Sequence, residues 1–145
     1  MAASETEFEF ADFFVDESDP GVEEPITLED NNGVQHDMVW TVRRSISLGD
    51  IQAARSAATY THLTPNGQQV VDKFDDVLFA IHLLARVVLK WPFTRNGAMI
   101  PVTVAYVTKL NARNSNALNL LAGKLTNQQS EKTLADFEKP SDVVF

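Results

Sequence analysis

Three histidines, His36, His62 and His82, and one dense acid group, Asp72, Asp75 and Asp76, are the side chains of this sequence best suited to proton transfer or metal binding. A zinc centre gathers three or four nitrogen, sulfur or oxygen ligands at recognisable spacings. The histidines are far apart, and none belongs to a ligand-spaced pair. His82 falls on the polar side of a helical pattern and reads as a surface or edge histidine. Paired carboxylates can do acid–base or metal work. Here the acids precede a helical segment, where they meet its free amides and positive dipole end, so capping is the better reading. A calcium loop would need a central glycine and a distal glutamate, and neither stands at that spacing. Ser45, Ser47 and Gly49 do not form the Gly-x-Ser-x-Gly elbow of a serine nucleophile. The three Asn-Gly pairs are turn chemistry, and no glycine-rich phosphate loop follows a strand. The expectation is a non-enzymatic protein with no catalytic, cofactor-binding or metal-binding residue. An enzyme would need a polar constellation around His62 or Asp72–Asp76 lining a pocket.

Binding chemistry is better represented. Phe8, Phe10, Phe13 and Phe14 place four of the nine phenylalanines within the first fourteen residues, interleaved with acids. Such a segment can dock, its rings entering apolar pockets and its carboxylates meeting a basic rim. Folding back on its own body and plain disorder are the alternatives. Arg43-Arg44 beside Trp40 is the strongest polar contact patch, and a solvated strand edge would look similar. Phe8, Phe10, Phe13, Phe14, Arg43 and Arg44 are therefore the candidate partner-binding residues. Trp40 and Trp91 lie on apolar faces and belong in a core.

Composition bounds these readings. A chain of 145 residues supports one domain with a real core. The formal net charge of −8 is unevenly placed. Residues 1–30 hold eleven of the twenty acids and no Lys or Arg, while the remainder holds nine acids against twelve bases. This describes an acidic arm on a slightly basic body. Phosphate would repel the arm, and the body has no basic cluster denser than Arg43-Arg44, so no nucleic-acid partner is expected. With no cysteine, disulfides and zinc–thiolate sites are excluded, which fits folding in the cytosol. The apolar run from Val77 to Leu89 is broken by His82 and Arg86 and is too short to span a bilayer. Glu5, Glu7 and Glu9 stand where a secretory signal would be basic and then apolar, so no such signal and no membrane partner are expected.

The pattern along the chain predicts an α+β fold: antiparallel hairpins packed beside three or four helices, with an extended acidic arm. Residues 1–24 form the arm, closed by Asp-Pro-Gly and Glu-Glu-Pro breakers. Residues 25–145 form a single domain, with a short tail at 137–145. Ile26 and Leu28 alternate on a first strand from Pro25, and Asn31-Asn32-Gly33 supplies the positive-φ turn. The returning strand carries Val34, Met38, Trp40 and Val42 on one face. Ser47 with Asp50 signals a capped helix through the alanines at 53, 54, 57 and 58. Asn66-Gly67 predicts a second hairpin. Asp75 or Asp76 caps the strongest helix, with Val77, Ile81, Leu84, Val88 and Trp91 as its buried face and Pro92 as its stop. His82, Arg86 and Lys90 form its polar stripe. Asn96-Gly97 turns the chain, Thr103 caps a helix through Leu110, and Asn114 or Ser115 begins one with Leu118, Leu121 and Leu125 inward.

Two segments carry a family resemblance. Trp40-Thr-Val-Arg-Arg-Ser-Ile-Ser-Leu-Gly-Asp50 resembles the extended stretch leading into a helix in tail assembly chaperones of long-tailed, siphovirus-type bacteriophages. Leu89-Lys-Trp-Pro-Phe-Thr-Arg-Asn-Gly-Ala-Met-Ile-Pro-Val-Thr103 is similar to the same family's turn before a capped helix. Together they span roughly residues 38–122, with a diverged stretch between them. The resemblance implies a protein–protein binder in the host cytoplasm. Such a protein coats the tape-measure protein, keeps its apolar helices from aggregating and recruits tail-tube subunits. The arm at 1–24 lies outside the motif. It favours the alternative of a virion structural subunit, in tail, connector or capsid, whose arm clasps neighbouring copies in an oligomer.

Overall fold

Period-two alternation builds the first sheet. The computed structural model describes residues 7–60, 65–67 and 73–127. In strand β1 (Val22–Glu29) Glu24, Ile26 and Leu28 turn inward, and Glu23, Pro25 and Thr27 face solvent. Strand β2 (Gln35–Val42) pairs with it antiparallel, with Glu24 opposite Trp40 and Leu28 opposite His36. Pairing thus begins at Val22, three residues before the expected start at Pro25. Pro25 is tolerated because β1 lies at the sheet edge, where its missing N–H breaks no ladder. The connection is a five-residue loop, Asp30 to Val34, and not a two-residue turn. Only Gly33 takes a positive φ, at +85°, while the Asp30 carboxylate accepts from the amides of Asn32 (2.8 Å) and Val34 (3.0 Å). Val34 sits in that loop and is exposed, so it leaves the buried face to Met38, Trp40 and Val42.

Helix α2 (Leu48–Ala58) starts with the expected capping box. Ser47 Oγ accepts from the Asp50 amide at 3.0 Å, and the Asp50 carboxylate reaches back to the Ser47 amide at 3.5 Å. Ala54 and Ala58 are its buried contacts, small enough to let helix α3 (Asp76–Val87) lie close against it. Between them strands β3 (Thr59–Tyr60) and β4 (Lys73–Phe74) pair antiparallel on either side of the Asn66-Gly67 segment. His62 and Asp72 lie outside the described residues, as does the tail expected at 137–145.

Asp75 caps α3, accepting from the Leu78 amide at 3.0 Å. The helix then departs from expectation in two respects. Its buried residues are Ala80, Leu83, Leu84 and Val87, while Val77 is exposed and Ile81 only partly covered. It also ends at Val87, four residues before Trp91, and passes directly into strand β5 (Val88–Lys90). Two β-branched residues in succession, Val87-Val88, weaken the helix there. The free edge of β2 captures the chain, with Val88 opposite Val42 and Lys90 opposite Thr41, and the Arg43 amide donates to the Val87 carbonyl at 2.8 Å. Lys90 consequently sits on a strand and not on a helical stripe with His82 and Arg86. The first sheet has the order β1-β2-β5, which makes β2 its central strand.

Strands β6 (Thr94–Arg95) and β7 (Ala98–Met99) flank Asn96-Gly97, whose φ values of +54° and +81° are those a two-residue hairpin turn needs. Thr103 caps α4 (Val104–Thr108), which stops two residues short of Leu110. A 3-10 turn at Ala112–Asn114 then leads into a helix, α5, over 115–127. Leu118, Leu121 and Leu125 face inward as expected. The core lies between the first sheet and helices α2, α3 and α5. Trp40 stands at its centre, edge-on to Trp91 (5.4 Å between centroids) and Phe93 (6.1 Å). Each large apolar side chain buried there contributes about 1.5–3 kcal/mol. The result is the α+β architecture of hairpins and helices that the pattern predicts.

Candidate functional site

The arm enters the sheet through a glycine. Gly21 has φ +86°, and a Cβ there would sit 2.4 Å from the Val42 carbonyl oxygen, so only glycine lets the chain cross β2 this closely. Just before it, the Asp19 carboxylate accepts from the Gly21 amide at 2.7 Å and pairs with Arg44 Nε at 3.2 Å. Asp16 accepts from the Ser18 amide (2.9 Å) and hydroxyl (2.7 Å), and these hydrogen bonds hold its carboxyl below the ordinary carboxylate value. Two carboxylate-centred turns therefore set the direction in which the arm leaves the body.

Beyond them the chain makes one helical turn, α1 (Phe10–Phe13), with the Phe14 amide donating to the Phe10 carbonyl at 2.9 Å. The rings do not enter the core. Phe8, Phe10, Phe13 and Phe14 are 71, 66, 67 and 60% exposed. They pair with each other instead: Phe10 stacks on Phe14 at 4.4 Å, and Phe8 meets Phe13 edge-on at 5.2 Å. The two ring pairs leave apolar surface exposed among the acids of the arm.

The candidate contact residues are only partly brought together. Phe14, Arg43 and Arg44 share a small cleft of about 160 Å³ at the foot of the arm, with Asp16, Asp19 and Ser45. Phe8, Phe10 and Phe13 do not line it. Arg44 is taken up by Asp19, and Arg43 Nε donates to the Arg86 carbonyl at 3.3 Å, while Arg86 pairs with Asp50 at 3.0 Å. The two arginines thus fasten the arm and the α2–α3 junction. Trp40 and Trp91 are buried, as expected, and Trp91 Nε1 donates to the Ile100 carbonyl at 2.6 Å.

The histidines and acids remain scattered. His36 Nε2 lies 2.8 Å from the Asp30 carboxylate at the exposed hairpin loop, and this contact is the largest cause of Asp30 being held below its ordinary value. His82 is half-buried on α3. Among the described residues no three His, Asp or Glu side chains converge as metal ligands would. None of their helices is long and apolar enough to cross a membrane.

A second cluster of cations lies on the far side of β5 from the arm's foot. Beside the β6–β7 hairpin, Arg95 and Lys109 both approach the Tyr106 ring, at 5.9 and 5.2 Å from its centroid. They rim a groove of about 390 Å³ whose walls include Phe93, Ile100 and Leu110. Tyr106 and Lys109 stand three apart, a spacing that puts both on one side of a helical turn, and that was the available signal. Arg95 joins them only through the hairpin. Comparison with protein-family models, with curated proteins and with solved structures returned no match.

Proposed function

We propose that this protein is a tail assembly chaperone of a long-tailed bacteriophage, a non-enzymatic binder of tape-measure and tail-tube proteins acting in the host cytoplasm. The observation that carries the reading is the pair of segments that resemble the family, Trp40 to Asp50 and Leu89 to Thr103, and the arm adds a docking element to that scaffold. Four phenylalanine rings held in water on an acidic stalk lose nothing on leaving the body and gain by being covered, which is the property of a segment awaiting a partner. The first of the two segments ends in the α2 capping box, and the second contains the Asn96-Gly97 hairpin and the Thr103 cap. These residues shape a platform and perform no chemistry. Purified protein should bind both tape-measure segments and tail-tube subunits of the same phage in a pull-down or by calorimetry. Binding to neither sinks the proposal.

A second reading, a permanent particle subunit, is favoured by the fastening of the arm. Gly21 and the Asp19–Arg44 pair direct the rings away from the chain's own core, as a clasp onto a neighbour requires. Quantitative mass spectrometry of particles and infected-cell lysate separates the two. A chaperone is abundant in lysate and missing from particles, whereas a subunit has a fixed copy number per particle.

A further inference from the structure

Arg95 and Lys109, like Arg43, Arg55, Lys73 and Lys90, have no acidic partner among the described residues, whereas Arg44, Arg86, Arg113 and Lys124 are each paired. Arg95 and Lys109 differ from the other unpaired cations in standing together over the Tyr106 ring. They flank a groove walled by Phe93, Ile100, Tyr106 and Leu110, with no acid in its lining. The acids of the hollow that adjoins it are already engaged, Glu29 by Arg113 and Asp30 by His36. At about 390 Å³ the groove falls within the roughly 300–1,000 Å³ of clefts that hold ligands. It wants an occupant that is both aromatic and acidic.

The arm has that composition. Glu7, Glu9 and Asp12 form no ion pair among the described residues, and the four rings beside them are more than half exposed. The arm is fastened at Asp19 and Gly21 over Val42, whereas the groove opens by Phe93, past the other end of β5. We infer that the groove rimmed by Arg95 and Lys109 receives the arm of a second copy of this chain, Phe10 and Phe14 entering between its walls while Glu9 and Asp12 meet the two cations. The exchange is reciprocal, so it closes a two-fold dimer. Trp91-Pro92-Phe93 and the β6–β7 hairpin that follows it then have a role in assembly besides their role in the fold. This inference stands on the charges and rings of this chain alone, and because it uses Phe10 and Phe14, a tape-measure or tail-tube protein that takes those rings would compete with the second copy for them.

The test uses the purified full-length protein and no other component. Sedimentation equilibrium should show the mass rising from 16.1 kDa toward twice that value with concentration. Arg95→Glu with Lys109→Glu, and separately Glu9→Lys with Asp12→Lys, should each weaken self-association by roughly tenfold or more, because like charges then face each other. Mixing the two variants restores complementary pairs in both grooves and should recover the dimer. That recovery also shows that neither variant is simply misfolded. Phe10→Ser with Phe14→Ser should weaken association as much as the charge reversals do. Three results would each overturn the inference: a wild type monomeric throughout, variants that associate as the wild type does, or a mixture that stays monomeric. Equally fatal is a monomer in which Phe10→Ser alters the fluorescence of Trp91, since the arm would then cover its own groove.

Discussion

Asn114 shows how much a single amide can hold. It is 5% exposed, accepts from the Glu29 amide at 2.7 Å and donates to the Glu29 carbonyl at 3.1 Å. One side chain thereby completes the end of β1 as a further strand residue would and joins it to the start of α5. Replacing Asn114 with alanine strands two backbone groups near the core, for which about 1–3 kcal/mol of stability is lost. Urea unfolding should show a lowered midpoint with an unchanged slope. Nothing in the sequence marks this residue for that role, because its partner is 85 positions away and a bridging amide leaves no periodic signature. The caps at Ser47, Asp75 and Thr103 were legible for the opposite reason, since each acts within three residues of itself.

The same contrast governs the elements. The β1–β2 hairpin, the Asn96-Gly97 turn and the inward leucines of α5 follow from local pattern, and the structure has them. The end of α3 does not. Leu84, Val88 and Trp91 keep helical spacing, and all three are buried, yet only Leu84 is helical. An apolar residue is buried equally well from a helix or from a strand, so periodicity cannot tell where one passes into the other. The unpaired edge of β2 decides it. The buried face of α3 is likewise rotated toward Ala80 and Leu83 because α2 and α4 both pack against it, and only the packed structure contains that fact. Caps carry a measurable share at this scale. Ser47→Ala removes the acceptor for the Asp50 amide and should lower stability by about 0.5–2 kcal/mol, read from the thermal midpoint. The effect should be confined to the α2 end, with the β2–β5 amides exchanging hydrogen as slowly as before relative to global unfolding.

At the scale of the molecule the charge asymmetry becomes a division of labour. The body is closed by its own aromatic core, and the arm keeps its rings outside. The arm's acidic, phenylalanine-rich character was plain in the sequence; its fastening by Gly21, Asp19 and Arg44 was not, since it depends on β2 passing beneath Gly21. The boundary also moves. Val22 to Glu24 belong to β1, and buried Glu24 pairs with Lys124 of α5 at 2.7 Å, so a cut after residue 24 would remove part of the sheet. Substitution in the full chain is therefore the cleaner test that the arm is a docking element and not core. Phe8, Phe10, Phe13 and Phe14 would all be changed to serine, and thermal stability measured beside binding to tape-measure and tail-tube proteins. Stability should stay within about 0.5 kcal/mol of wild type, as for surface substitutions, and binding should be lost. A marked fall in stability would place the rings in the core, and binding undiminished without them would remove the arm from the mechanism.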